Sequence, residues 1–303
     1  MKFVSILNDG FVDGFIALLN SLIQNSGLDT IDYTIVEIGE GISSINKKKI
    51  NSMALDSNVE VELSYFDSKG LGEIAFNSSL FNDKSKSLNI NKLLIFNLPF
   101  DEPICYLDAD MLCLSDIKYL KEIEAGWSCE KGFYAVPNIG KLPPKSIKNQ
   151  PMFNAGLFVF RPDEEVFNEI KTFTKNFMTK NRNTDKKYLQ YSDQRIINEF
   201  IYKNYPNSLK LLGFEWNAII TLKHHNKGLW RYINSSDAKF YHYTAIKPWR
   251  INPKTAYKDY KKRKGIRGKI GYIYDYISSQ ILYKNEIKIW KNYIPKNREN
   301  NPI

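Results

Sequence analysis

The chain has 303 residues, 43% of them hydrophobic and 25% charged, with a formal net charge of +10. That is ample apolar material for a core, in one large α/β domain or two smaller ones, and it excludes a chain too polar to fold. The charge is lopsided: residues 251–303 hold thirteen lysines and arginines against four acidic residues, so the first 250 are nearly neutral.

Lys2–Leu7 reads as a strand, and after the turn-prone Asn8-Asp9-Gly10 a helical apolar stripe runs over Val12–Ile23. Asn8, Asp9 and Asp13 interrupt this N-terminal stretch, so it is neither a signal peptide nor a membrane span, and a cytoplasmic location is expected. A helix over Ile42–Met53 separates strands at Tyr33–Glu37 and Val59–Tyr65, and a helix over Leu88–Phe96 feeds the strand Ile104–Asp108. Further strands are expected at Phe133–Val136, Gly156–Arg161 and Ala238–Tyr243, with helices over Glu164–Met178 and Ser192–Tyr202. A polar, proline-rich loop covers 138–151. Alternating strands and helices predict a mainly parallel sheet flanked by helices, with ligands beyond the carboxyl ends of the strands. The three cysteines, Cys105, Cys113 and Cys129, lack CxxC spacing, so buried thiols in a reducing compartment are expected.

Residues 104–114, ICYLDADMLCL, end an apolar run in two carboxylates, Asp108 and Asp110. A buried carboxylate needs a partner or a cation. Two oxygen ligands one residue apart at a strand end suit Mg²⁺ or Mn²⁺, which favour carboxylates together with substrate phosphates. A structural ion pair with lysine is the plain alternative. A phosphatase of the haloacid dehalogenase type also ends a strand in DxD, but its later acidic pair has no convincing counterpart after residue 130. Three more stretches bear on the choice. FNAGLFVFRP (153–162) sets Asn154 and Gly156 at a strand start, where a small residue admits a ligand to the backbone. SDQRIINEF (192–200) opens a helix with Asp193 and Gln194 in its first turn, and HYTAIKPW (242–249) flanks a short turn with an imidazole and a lysine. Each alone reads as structural.

Together with ILNDGFVDGFIALLNSL (6–22), NKLLIF (91–96) and YLDADMLCLSDI (106–117), these motifs in this order resemble the glycogenin-type members of glycosyltransferase family eight, across roughly residues 1–250. The resemblance implies a GT-A, Rossmann-like fold as a catalytic domain over 1–250. It also implies retaining transfer of a hexose, most often glucose, from a UDP-sugar to a hydroxyl of a glycan, protein or small molecule. UDP-galactose is the alternative donor, with an acceptor at a membrane surface. It carries over Asp108, Asp110 and His242 as ligands of Mn²⁺ (or Mg²⁺), and Lys247 as the grip on the pyrophosphate. Leu7, Asn8 and Phe11 match the uridine segment, and Lys92 a lysine near the donor. Ala109 lies within the donor-binding tripeptide; Asn154, Ala155 and Gly156 match residues around the sugar. Asp193 and Gln194 match the catalytic pair facing the sugar ring.

Departures lie on the acceptor side. The tyrosine that glycogenins glucosylate on themselves falls at His224, with Tyr232 the nearest downstream alternative, and two acidic positions of the family are Asn138 and Gln190 here. The spacing from His242 to Lys247 is one residue short of the family's. A degenerate fold kept as a binding module is the non-enzymatic alternative, against which the intact DAD, His242 and Lys247 stand. Residues 251–303 form a basic extension in which Ile270, Ile273, Ile277 and Ile281 recur near a helical period. The plain expectation is a helix packing its Ile/Tyr face on the catalytic domain. Contact with an anionic membrane through 258–290 is the functional one. A homodimer is a further candidate assembly, and nucleic acid is not an expected partner.

Overall fold

The computed structural model describes residues 1–68, 90–127, 131–138, 146–147, 150–180, 192–225, 227–228, 230, 238–244, 246–251, 260–261 and 265–295. The first half alternates strand and helix as its periodicity requires: β1 (Lys2–Leu7), α1 (Val12–Asn25), β2 (Thr30–Glu37), α2 (Ser44–Leu55) and β3 (Glu60–Asp67). Then come β4 (Ile104–Leu107), β5 (Met111–Cys113), α3 (Tyr119–Ala125), β6 (Phe133–Pro137), β7 (Ser146–Ile147), β8 (Gln150–Pro151) and β9 (Phe153–Phe160). They are followed by α4 (Glu164–Lys180), α5 (Ser192–Asn204), β10 (Leu209–Leu211), β11 (Ala218–Ile219), α6 (Leu222–His225), β12 (Phe240–His242), α7 (Gly265–Leu282) and α8 (Lys284–Lys291).

The main sheet has seven strands in the order β10-β6-β9-β4-β1-β2-β3. Its pairs are parallel except those of β9, which runs antiparallel to both β4 and β6. Strand alternation divides the core between the two faces. Phe3 and Cys105 pack with Phe15, Leu19 and Tyr33 on one side; Val4 and Tyr106 pack with Phe96, Phe158 and Ile196 on the other. A smaller sheet, β11-β12-β5, stands at the carboxyl ends of the central strands. Against it α8 buries Ile287 and Trp290, beside Tyr283, Leu112, Ala218 and Tyr243. Burying side chains of this size contributes about 1.5–3 kcal/mol each, so α8 packs firmly on the rest of the fold.

Three expectations change. Residues 91–97 form a 3-10 turn rather than an α-helix, with Lys92–Phe96 all buried; Pro99 keeps Leu98 extended and stops the segment before it lengthens. The strand expected from Gly156 starts at Phe153, and the loop over 138–151 contains the β7–β8 hairpin. The isoleucine face of the extension does not pack on the domain: Ile270, Ile273, Ile277 and Ile281 are all exposed. Cys105 and Cys113 are buried free thiols as expected, whereas Cys129, Gln190, Tyr232 and the side chain of His224 lie outside the described residues.

Candidate active site

Two sheets meet at the DAD tripeptide. β4 ends at Leu107, and the Asp108 N–H donates to the Gly156 carbonyl (2.7 Å), prolonging the contact with β9. The chain then turns, Met111 N–H donating to Asp108 O (3.2 Å), and enters β5. β5 pairs antiparallel with β12 so that Met111 lies opposite His242, and Tyr243 N–H donates to Asp110 O (2.9 Å). This register carries the imidazole across 132 residues of sequence to the carboxylates. His242 Nε2 stands 3.2 Å from Asp110 Oδ1 and 3.7 Å from Asp108 Oδ2. The three groups offer ligand atoms within 4.8 Å of one another, a cluster able to hold a divalent cation.

The protonation of His242 supports that fit. Burial pushes its pKa down to about 4, against the pull of Asp108, so the ring is neutral at ordinary pH. Its tautomer follows from a chain of hydrogen bonds. Gly156 N–H donates to Asn154 Oδ1 (2.8 Å), which also accepts Asn217 Nδ2 (3.0 Å). That turns Asn217 Oδ1 towards His242 Nδ1 (2.8 Å), and an oxygen there requires Nδ1 to carry the proton. The Nε2 lone pair therefore faces two carboxylates, an arrangement of hard oxygen and nitrogen donors that a divalent cation resolves. Gly156 makes room for the ring, since a Cβ there would lie 2.3 Å from His242 Cε1.

Two ammonium groups frame the cluster. Lys92 Nζ bonds Asp108 Oδ1 (2.9 Å) and the Ala155 carbonyl (3.1 Å), and lies 3.4 Å from Asp193 Oδ2. Burial works against its charge, but Asp108 and Asp193 outweigh burial and hold its pKa above the ordinary lysine value. For Asp108, burial is likewise outweighed, by Lys92, His242 and the hydroxyl of Tyr106 (2.7 Å), and its pKa falls below the usual carboxylate value. Lys247 donates to Asp110 and to the carbonyls of Tyr243 and Thr244 (3.0 Å each). Burial lowers its pKa to about 8.

The remaining candidates close around this centre. Asp193 stands in the first turn of α5, and Gln194 Oε1 accepts Ala155 N–H (3.4 Å). Leu7 is buried at the end of β1; Asn8 caps the 3-10 turn 9–11 by accepting Gly10 N–H (3.0 Å). Phe11 meets the edge of Trp249 at 6.1 Å and the guanidinium of Arg250 at 5.4 Å. Trp249 donates to the Gly10 carbonyl (3.1 Å), tying the Lys247 segment to the 8–11 turn. Ala109 is buried, and its carbonyl would lie 2.7 Å from a Cβ on Gly14, so the DAD turn rests directly on α1. Sequence reasoning missed Asn217, Tyr106 and Asn198. Asn198 brackets Phe153, accepting its N–H (2.8 Å) and donating to its carbonyl (2.9 Å), and so aligns α5 with β9. The only signal for Asn217 was one polar residue between Trp216 and the run Ala218–Ile220.

Known proteins share this framework. The chain is 27% identical over 185 residues to galactinol synthase 1 of Solanum lycopersicum, covering 57% of this chain and 52% of that protein. It is 29% identical over 176 residues to a glycogenin of Komagataella phaffii, covering 54% of this chain and 38% of that one. The matches thus span about half or less of these curated relatives. Among solved structures, the galactosyltransferase LgtC in complex with donor and acceptor sugar analogs superposes with a TM-score of 0.60 at 16% identity, over 82% of this chain and 89% of that one. The apo bifunctional glycosyltransferase WbbM gives 0.61 at 18% identity, over 90% of this chain and 51% of that one. The common fold is the GT-A arrangement. The model described as glycosyl transferase family 8 matches residues 3–252, which takes in every element that builds the Asp108–Asp110–His242 centre, and the chain belongs to that family.

Proposed function

We propose that the protein transfers a hexose, glucose in the first instance, from a UDP-sugar to a hydroxyl acceptor with retention of anomeric configuration, using Mn²⁺ (or Mg²⁺). The observation that carries this reading is the convergence of Asp108, Asp110 and His242 with Lys92 and Lys247 at the carboxyl end of β4. Three carboxylates, counting Asp193, face two ammonium groups across a neutral imidazole. The centre therefore has a surplus negative charge, which suits a divalent cation, and ammonium donors that suit a diphosphate. A bound cation would act as a Lewis acid towards the departing diphosphate.

The chain's own residues supply the rest. Lys247, on a flexible stem beside Asp110, grips the pyrophosphate; Leu7, Asn8 and Phe11 receive the uridine. Asn154, Ala155 and Gly156 face the sugar. The Asp193 carboxylate, 3.4 Å from Lys92 Nζ, stabilises with Gln194 the positive charge that develops as the glycosidic bond weakens. The acceptor approaches from the face the diphosphate leaves, and its proton passes to the leaving phosphate. A covalent route through Asp193 is the alternative. UDP-galactose is the second donor of this reading. Catalytic unit 1–250 and extension 251–303 form the proposed division, supported by the family match over 3–252. Asn138 and the loop 138–151 shape the acceptor site.

The test is a panel of UDP-sugars with Mn²⁺, read as donor hydrolysis and as added mass on the intact chain, which also reads self-glucosylation at tyrosines. UDP-glucose is expected to turn over, and Asp110→Asn to lose that turnover by at least about 100-fold. Full activity in Asp110→Asn would refute the metal role.

A further inference from the structure

The helix α7 carries isoleucines at 266, 270, 273, 277 and 281, a spacing that sets them in one stripe. Each is between 44% and 78% exposed. A soluble monomer rarely leaves a continuous apolar stripe in water without a partner for it. The helix is also anchored. It runs through Tyr283 into α8, whose Trp290 packs at 5.9 Å from Trp249 and whose Glu286 is paired with Lys223 (2.6 Å).

The charge around the stripe identifies its partner. Residues 254–269 hold eight lysines and arginines and one acidic residue, Asp259. Among the described ones, Lys261 is exposed and Lys269 lies over the ring of Tyr260 at 5.3 Å. α7 itself adds Tyr272, Tyr274 and Tyr276 and a single acid, Asp275. A second copy on the isoleucines would bring two basic segments together, at a cost in repulsion. A nucleic acid would satisfy the lysines and leave the isoleucines in water. An anionic bilayer surface answers both features, with an apolar stripe at the acyl boundary and cations against acidic headgroups. Among the described residues no helix is long and apolar enough to cross a membrane, so the contact lies on the bilayer.

We propose that α7 is a peripheral docking element for an anionic lipid surface, with Ile266, Ile270, Ile273, Ile277 and Ile281 seated at the headgroup boundary and Lys261 and Lys269 among the cations that meet the headgroups. Catalysis does not enter this inference, which stands or falls separately from the transferase reading. The test is co-sedimentation of the full chain with vesicles of phosphatidylcholine alone or mixed with phosphatidylglycerol. Binding is expected to the mixed vesicles, to weaken as salt is raised, and to fall about tenfold or more in Ile270→Ser with Ile277→Ser. Lys261→Glu with Lys269→Glu is expected to weaken it by about fivefold per lost cation. All four positions are away from the buried core, and an unchanged melting temperature verifies folding. Absence of binding to the mixed vesicles overturns the proposal, as does binding that both double variants retain. Dimerisation lost on Ile→Ser, without vesicle binding, assigns the stripe to a second copy and overturns it equally.

Discussion

Asn217 touches neither carboxylate, yet it determines which imidazole nitrogen faces them. Its amide is held in one orientation because Asn154 Oδ1 is already committed to the Gly156 N–H, a backbone donor that cannot be reversed. Replacing Asn217 by leucine keeps the volume and removes the acceptor for His242 Nδ1–H. Loss of such an outer partner costs about 10–100-fold in metal affinity. Mn²⁺ titration of the folded variant by electron paramagnetic resonance is expected to read that loss. Wild-type affinity in Asn217→Leu would remove the relay from the account. The imidazole at the end of this four-residue chain also explains why Gly156 is a glycine inside a strand: a methyl there would displace the ring.

At the scale of elements, the site depends on how the DAD turn is clamped between α1 and the segment after β12. Gly14 lets α1 approach Ala109 and Trp249 so closely that a Cβ would lie 2.7 Å from the Ala109 carbonyl and 2.6 Å from the Trp249 ring. Gly14→Ala is therefore expected to cost about 1–3 kcal/mol of stability and to weaken UDP binding, because Trp249 lies two residues after Lys247. Thermal melting and calorimetric titration with UDP check both effects; an unchanged variant would show the clamp to be loose. The long elements were legible because amphipathic helices and buried strands repeat their pattern over enough residues, as in α1 and β1. β5 and β11 were not. Three and two residues carry no alternation to read, and they exist because β12 pairs with both. The carboxylates and His242 were visible as residue types, but their meeting depends on that short sheet. The exposed stripe of α7 was legible as a period, whereas its side of the molecule was not, since periodicity says which residues share a face and not what covers it.

For the molecule as a whole, the buried neutral imidazole couples stability to pH. Below pH 6.5 an unfolded histidine gains a proton that folded His242, with its pKa near 4, refuses. The unfolded state then binds more protons, so the metal-free protein loses stability as pH falls from 6.5 towards 4, and this contribution is flat above 6.5. The full effect is roughly 3 kcal/mol. Denaturant unfolding of wild type and His242→Asn between about pH 7 and about pH 5 isolates it from the other titrating groups. The wild type is expected to lose stability relative to the variant on acidification, and parallel curves would contradict a neutral buried ring. The charge of the molecule is divided unevenly, with residues 1–250 nearly neutral and residues 251–303 strongly basic.

The most direct measurement is anomalous diffraction at the manganese edge from crystals grown with Mn²⁺ and UDP. One peak bonded to Asp108, Asp110 and His242 Nε2, with the diphosphate completing its coordination, is the expected result. A map with no peak at these three residues, or with the metal held by the carboxylates while the imidazole turns away, would contradict it.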